Sequence, residues 1–344
     1  MTNSRSCLVL FTVILALVVA IGETAAQLQA AAPLREIKVV RLDQRIDKLF
    51  PSNDKIDLIV SGRKWVEGPV WNRKEGYLLF SDIPNNSVFK WQQGNGVSLF
   101  LKPSGYTGAV PFPGAEPGSN GLAFDALDRL VLAQHGDRRI VRREQDGRLT
   151  TLASHYDGKR INSPNDLVFA MNGDLYFTDP PFGLPKGFED PSKEVPFQGV
   201  YRLSTKGQLT LLISDIKAPN GIALSPDARK LYVSDVNYER SAWLVYDIKA
   251  DGTTANGRVF ADAKQWRRRP FFGPDGFKLD QAGNLFGARP GGVSIFAPDG
   301  THIGSIETGH PVSNVAWGED GSTLFITGGE SVYRIRLTAR GMGF

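Results

Sequence analysis

This 344-residue chain contains only one cysteine and four histidines. The cysteine, Cys7, lies in an N-terminal apolar run, so the chain beyond that run has no disulfide and no thiol chemistry. Long apolar runs are also scarce. "CLVLFTVILALVVAIG" (7–22) is one, and no later stretch could span a bilayer as a helix. Charge of one sign is not concentrated either. The net charge is +4, but the basic residues are scattered and the densest run, "WRRRP" (266–270), is three arginines in one loop. That is a poor footprint for nucleic acid, and no nucleic-acid partner is expected.

What is present at the N-terminus has an order. Arg5 precedes the apolar run, and the small residues of "ETAAQ" follow it. We read residues 1–26 as a secretory signal peptide cleaved after Ala26, which implies an exported protein, periplasmic or secreted. The apolar run is shorter than the ~20 residues of a spanning helix, so no membrane span is expected after cleavage. Residues 27–54 read as a lead segment and 55–344 as one domain. Apolar residues make up 41% of the chain, enough for a substantial core that must hold without disulfides.

Short alternating strands and turn dipeptides dominate that domain, and they repeat. The hairpins "EGPVWNRKEGYLLFSD" (67–82), "NGLAFDALDRLVLAQH" (120–135), "NDLVFAMNGDLYFTD" (165–179), "NGIALSPDARKLYVSD" (220–235), "DGFKLDQAGNLFGAR" (275–289) and "SNVAWGEDGSTLFITG" (313–328) share one plan. From the first polar residue to the end of the second strand the separation is 14 or 15 positions in all six. Two further strands follow the first five hairpins, giving a unit of four antiparallel strands every roughly 40–55 residues, the pattern of propeller blades. The sixth copy ends after its third strand, "SVYRIRL", and "KIDLIVSG" (55–62) stands where a fourth strand is needed. The expected fold is all-β: a six-bladed β-propeller of four antiparallel strands per blade, its ring closed by that N-terminal strand, which removes an exposed edge.

In a propeller the first strand of each blade lines the central channel. The residues that begin those strands are Glu67, Asn120, Asn165, Asn220, Asp275 and Ser313, and each offers an oxygen. Asn, Asp and Ser are also ordinary turn residues, and Gly68, Gly121, Gly221 and Gly276 after them fit that reading. Glu67 does not, because Glu has no special turn role. Carboxylate and amide oxygens suit a hard divalent cation, Ca²⁺ first, with Mg²⁺ or Mn²⁺ less natural in an amide-rich cage. Zn²⁺ would call for His or Cys. The second strands end in Asp82, His135, Asp179, Asp235, Arg289 and Gly328, which should form an outer polar rim. Of these, a strand-end Asp often bonds the backbone N–H groups of a neighbouring loop. The long segments 103–119 and 180–199 carry no strand pattern and should overhang the same face.

The ordered motifs "WVEGPVW", "NSPNDLVF", "YFTDPPFG", "APNGIALSPD" and "GPDGFKLD" resemble those of the gluconolactonase and senescence-marker-protein family, from about residue 55 to 337. The resemblance implies a divalent metal, usually Ca²⁺, on Glu67, Asn165, Asn220 and Asp275, a pattern similar to that of diisopropyl-fluorophosphatase-type propellers. It implies a substrate contact at Asn120. His135 matches a catalytic histidine of paraoxonase-like relatives, but the partner of that histidine would fall on Asn120. A substrate-binding arginine of animal members falls on Ser163, so their sugar contacts do not carry over.

The expected activity is metal-assisted hydrolysis of a small sugar-acid lactone. Asp275 would accept the water proton, and Asn120, Asn165, His135 and Asp179 would contact substrate. No Gly-x-Ser-x-Gly elbow is present. The alternatives are a related metal-dependent esterase or phosphotriesterase, or a secreted binding propeller in which a metal only staples the channel. Oligomeric state is left open.

Overall fold

Strand residues alternate between two faces, and in this chain both faces are apolar. Tyr77 and Leu79 pack with Leu122, Leu130 and Leu132, while Leu78 and Phe80, one position along, pack with Phe325 and Val332. A sheet apolar on both faces must be covered on both, and a ring of sheets achieves this without a separate layer. The computed structural model describes residues 37–51, 55–268 and 272–344. The expected signal peptide, residues 1–26, lies outside them. Chain contacts separate residues 1–34 from a compact unit, residues 35–344; the description that follows is of that unit.

Six four-stranded antiparallel sheets make up the unit, with one additional two-stranded ribbon, His155–Tyr156 with Lys159–Arg160. The first blade is Val66–Asn72, Tyr77–Asp82, Ser87–Gln92 and Gly96–Leu101, and the second runs from Ser119–Phe124 out to Leu149–Ala153. The third begins with Leu167–Phe169, the fourth with Pro219–Leu224, the fifth with Phe277–Leu279 and the sixth with Asn314–Gly318. Each of these first strands contacts the first strands of the blades on either side, around the full circle. Six apolar clusters fill the six blade-to-blade interfaces. The fold is the six-bladed propeller expected from the repeats.

Ring closure also follows expectation. Ile56–Val60 pairs with Ser331–Arg336, from Ile56 opposite Ile335 to Val60 opposite Val332. In the fifth blade residues 285–287 pair with Phe277–Leu279 and residues 292–296 pair with His302–Pro311, the register shifting between Pro290 and Gly292. The outer place in that sheet is taken by Lys38–Arg41, which pairs with His302–Pro311. Ile46, just beyond this strand, is fully buried in the interface between the fifth and sixth blades.

Candidate active site in the propeller channel

The chain bends where the channel residues stand. Register shifts interrupt the pairing between Glu67 and Val70, between Ser119 and Leu122, and between Pro219 and Ile222. Such bulges re-aim a side chain out of the regular pleat. Two fall on a channel residue and its following glycine, Asn120-Gly121 and Asn220-Gly221, and the third directly follows Glu67, at Gly68-Pro69. Those glycines are also required by packing. A Cβ on Gly121 would sit 2.6 Å from Asn165 O, and one on Gly221 would sit 2.5 Å from Asp275 O, both too close for any side chain.

Backbone and hydroxyl hydrogen bonds then sew neighbouring blades together at this level. Ser81 Oγ donates to Asn120 O (2.8 Å), Thr178 Oγ1 to Asn220 O (2.6 Å) and Ser234 Oγ to Asp275 O (2.9 Å). Gly121 N donates to Asn165 O (2.7 Å), and Gly276 N to Ser313 O (2.8 Å). Ser313 itself closes the circle, its hydroxyl donating to Val66 O (2.7 Å). That assignment corrects one expectation. Ser313 does not present its oxygen to the channel; the next residue, Asn314, does.

Glu67, Asn120, Asn165 and Asn220 are all buried, and Asp275 is partly exposed. Glu67 Oε2 accepts Gly68 N (2.7 Å) and the Asn314 amide (3.2 Å), and Asp275 Oδ1 accepts Gly276 N (3.0 Å). The other oxygen of each carboxylate makes no hydrogen bond with the described residues. Asn120 Oδ1 is buried and likewise unpartnered. Burial, above all, and then the Asp166 charge push Glu67 up to about 8, against the pull of the Gly68 N–H and the Asn314 amide. Asp275 is raised well above the ordinary carboxylate range, first by burial and then by the charges of Glu67, Asp166 and Glu116.

Crowded carboxylates with idle oxygens, beside an orphaned amide oxygen, fit a hard cation held by oxygen. Among the described residues no group of three His, Cys, Asp or Glu side chains is placed to hold a metal, so a site here would have to draw on amide oxygens as well.

Three channel residues were not anticipated. Asp166 follows Asn165, and Asn314 follows Ser313, at the position where the other four blades have glycine. Lys278 lies two residues further on, where the other blades have Val70, Ala123, Val168, Ala223 and Ala316. Aligning the hairpins one and three positions past the ring would have exposed all three as exceptions to glycine and to small apolar residues.

The rim is not the open polar surface expected. Asp82, His135, Asp179 and Asp235 have no exposed surface, and Arg289 has almost none. The three aspartates latch the chain just before each first strand. Asp82 accepts from Lys64 N and Trp65 N (both 3.3 Å), Asp179 from Asn162 N (2.7 Å), and Asp235 from Ala218 N (3.3 Å). Asp179, expected as a substrate contact, is therefore placed as a structural latch. Arg289 is consumed by Ser294, Glu307 and the face of Trp266. His135 is covered by the segment around Gly183, and its Nδ1 lies 2.9 Å from Glu116 Oε2, though not along the N–H direction. Its Nε2 has no partner. Glu116 belongs to the 103–119 segment, which in this way reaches the end of the second blade's second strand.

Residues 65–330 match the SMP-30/Gluconolactonase/LRE-like region. The chain is 41% identical over 312 residues to a gluconolactonase of Zymomonas mobilis, covering 88% of this chain and 87% of that one. A solved gluconolactonase from Xanthomonas campestris superposes with a TM-score of 0.76 at 31% identity, over 89% of this chain and 99% of that one. Regucalcin from Agrobacterium tumefaciens, a calcium-binding protein, shares the fold with a TM-score of 0.65 at 21% identity, over 83% and 96%. With the motifs in register on the channel and the match extending over the whole ring, this chain belongs to the SMP-30/Gluconolactonase/LRE-like family.

Proposed function

We propose that the protein hydrolyses a sugar-acid lactone to the aldonic acid, with a divalent cation, Ca²⁺ first among candidates, held by Glu67, Asn165, Asn220 and Asp275. The observation that carries this reading is the set of unsatisfied oxygens at the channel: one on Glu67, one on Asp275 and Asn120 Oδ1. The gluconolactonase relatives support the lactone class, since the match to them spans nearly all of each chain.

When bound, the cation would supply a Lewis acid that draws charge from the lactone carbonyl. The chain's own residues do the rest. Asp275 uses its free oxygen to take a proton from the attacking water. The new C–O bond forms at the carbonyl carbon, the acyl bond to the ring oxygen breaks, and the proton ends on that oxygen as a hydroxyl. Asn120 Oδ1 accepts a substrate hydroxyl and Asn165 orients the ring. His135 is too enclosed to touch a substrate directly in this conformation, so no step is routed through it.

A pH-stat assay on glucono-δ-lactone, before and after chelation, tests both parts. Activity that survives complete removal of divalent ions sinks the metal role. A phosphotriester run in parallel decides the substrate class, and faster turnover of it would replace the lactone. Residues 1–26 are proposed to direct export, to the periplasm or beyond. Recovery of exported protein beginning at Gln27 is the check.

A further inference from the structure

Below the proposed ligands the channel holds a second set of oxygens, and it is already filled. Lys278 Nζ lies 3.1 Å from Phe277 O, 3.4 Å from Asn314 Oδ1 and 3.7 Å from Asp166 Oδ2. An ammonium has three donors, and here it faces three oxygens. They are a backbone carbonyl, an amide and a carboxylate, the donor types a hard divalent cation takes.

This layer is joined to the one above it. The Asn314 amide donates both to Glu67 Oε2 (3.2 Å) and to Asp166 Oδ2 (3.4 Å), so one side chain touches the proposed cation ligand and the lower oxygens together. Asp166 Oδ1 and Asn314 Oδ1 are fixed in turn by the N–H of Leu167 and of Val315, both 2.9 Å away. A Cβ on Gly276 would collide with the Asn314 side chain, so the glycine there keeps the bridge in place.

We propose that the Lys278 ammonium is a built-in cation occupying a second oxygen cage made by Asp166, Asn314 and Phe277 O, so that the channel takes one divalent ion and not two. This rests on the metal reading above. Lys278, Asp166 and Asn314 are positioning residues: they act on the ion through Glu67 and through charge. Ionised Glu67, Asp166 and Asp275 carry three negative charges, and Lys278 returns one. A neutral side chain at 278 removes that compensation and empties the lower cage in one step.

The test is a titration of the metal-stripped full chain with Mn²⁺, counting bound equivalents by electron paramagnetic resonance and calorimetry. Wild type is expected to take one equivalent and Lys278→Met two. In the double variant Asp166→Asn, Lys278→Met the lower cage has lost its carboxylate, and one equivalent is expected again. A folded Lys278→Met protein that still takes one equivalent overturns the proposal, and Lys278→Gln provides the same test if the Met variant does not fold. Asp166→Asn alone should weaken the single ion by roughly tenfold, since it removes a negative charge close to the ion. An unchanged affinity in that variant also counts against the proposal. A wild-type chain that binds no divalent ion at all is a different outcome, and it refutes the metal reading itself.

Discussion

Asn314 donates its side-chain amide to Glu67 of the neighbouring blade, 3.2 Å away, although the two stand 247 residues apart in the chain. The bond joins the last blade to the first. Ring closure thus helps to shape the proposed cation site: besides Gly68 N, a residue of the sixth blade holds Glu67 Oε2. The site therefore reports on the integrity of the whole ring.

Of the proposed cation ligands, Glu67 offers the most direct test. Glu67→Gln keeps the shape and the Gly68 contact but removes the charge. Affinity for Ca²⁺ measured by calorimetry should fall at least roughly a hundredfold, and lactonase rate with it, because a buried carboxylate ligand is replaced by a weaker neutral one. An unaltered circular dichroism spectrum would show that the loss is local.

Ser234 links two blades through two bonds. Its hydroxyl accepts Gly221 N (2.7 Å) and donates to Asp275 O (2.9 Å). Ser234→Ala leaves a buried donor and a buried acceptor unpaired, and should cost about 1–3 kcal/mol in urea unfolding. Because the same bonds set the backbone on either side of Asn220 and Asp275, the lactonase rate should fall more than a stability loss of that size alone would explain.

Asp179 carries a pH signature. Burial, the largest cause, lifts its carboxyl from 3.8 to about 7, against the bond from Asn162 N and the nearby Arg138 charge. Its folded value is the higher one, so the stability it contributes is present in full below 3.8 and is lost as pH rises towards and through about 7. Asp179→Asn cannot ionise. The melting temperature of the variant should therefore fall less than that of wild type between these limits, a difference that scanning calorimetry at several pH values would reveal. Identical slopes would show that Asp179 does not titrate in this window.

Ile46 tests the lead segment. It is fully buried against the fifth and sixth blades, and Ile46→Ala should cost about 2–5 kcal/mol, the usual range for a large-to-small change in a core. If the segment were a passive leader, denaturation midpoints of the two proteins would coincide.

The blades were legible because their signal is local and repeated. Alternation, a turn and a polar start recur six times, and one missing strand at the C-terminus pointed to its replacement near residue 55. The strand Lys38–Arg41 was not legible. It has no counterpart in the repeat, and it is recruited by an edge, that of His302–Pro311, which exists only once the fifth blade has formed. Glu67, Asn120, Asn165, Asn220 and Asp275 could be singled out because their equivalence is a matter of counting positions. The rim could not be read that way. Position alone does not tell whether a strand-end side chain faces solvent or is turned back onto the preceding loop, as Asp82, Asp179 and Asp235 are.

By itself, then, the sequence determined the all-β repeat, the number of blades, the strand that closes the ring and, Ser313 excepted, the polar residues that stand at or next to the start of each inner strand. These depend on alternation and spacing, which the chain carries along its own length. Tertiary structure alone decided that Ser313 is a stitch and Asn314 a bridge, that Glu116 meets His135, and that Lys278 lies against Asp166. All but the Glu116–His135 contact join blades far apart in the chain. Their partners are chosen by which side chains the closed ring brings to its axis, and by which polar groups must be satisfied once water has been excluded from it.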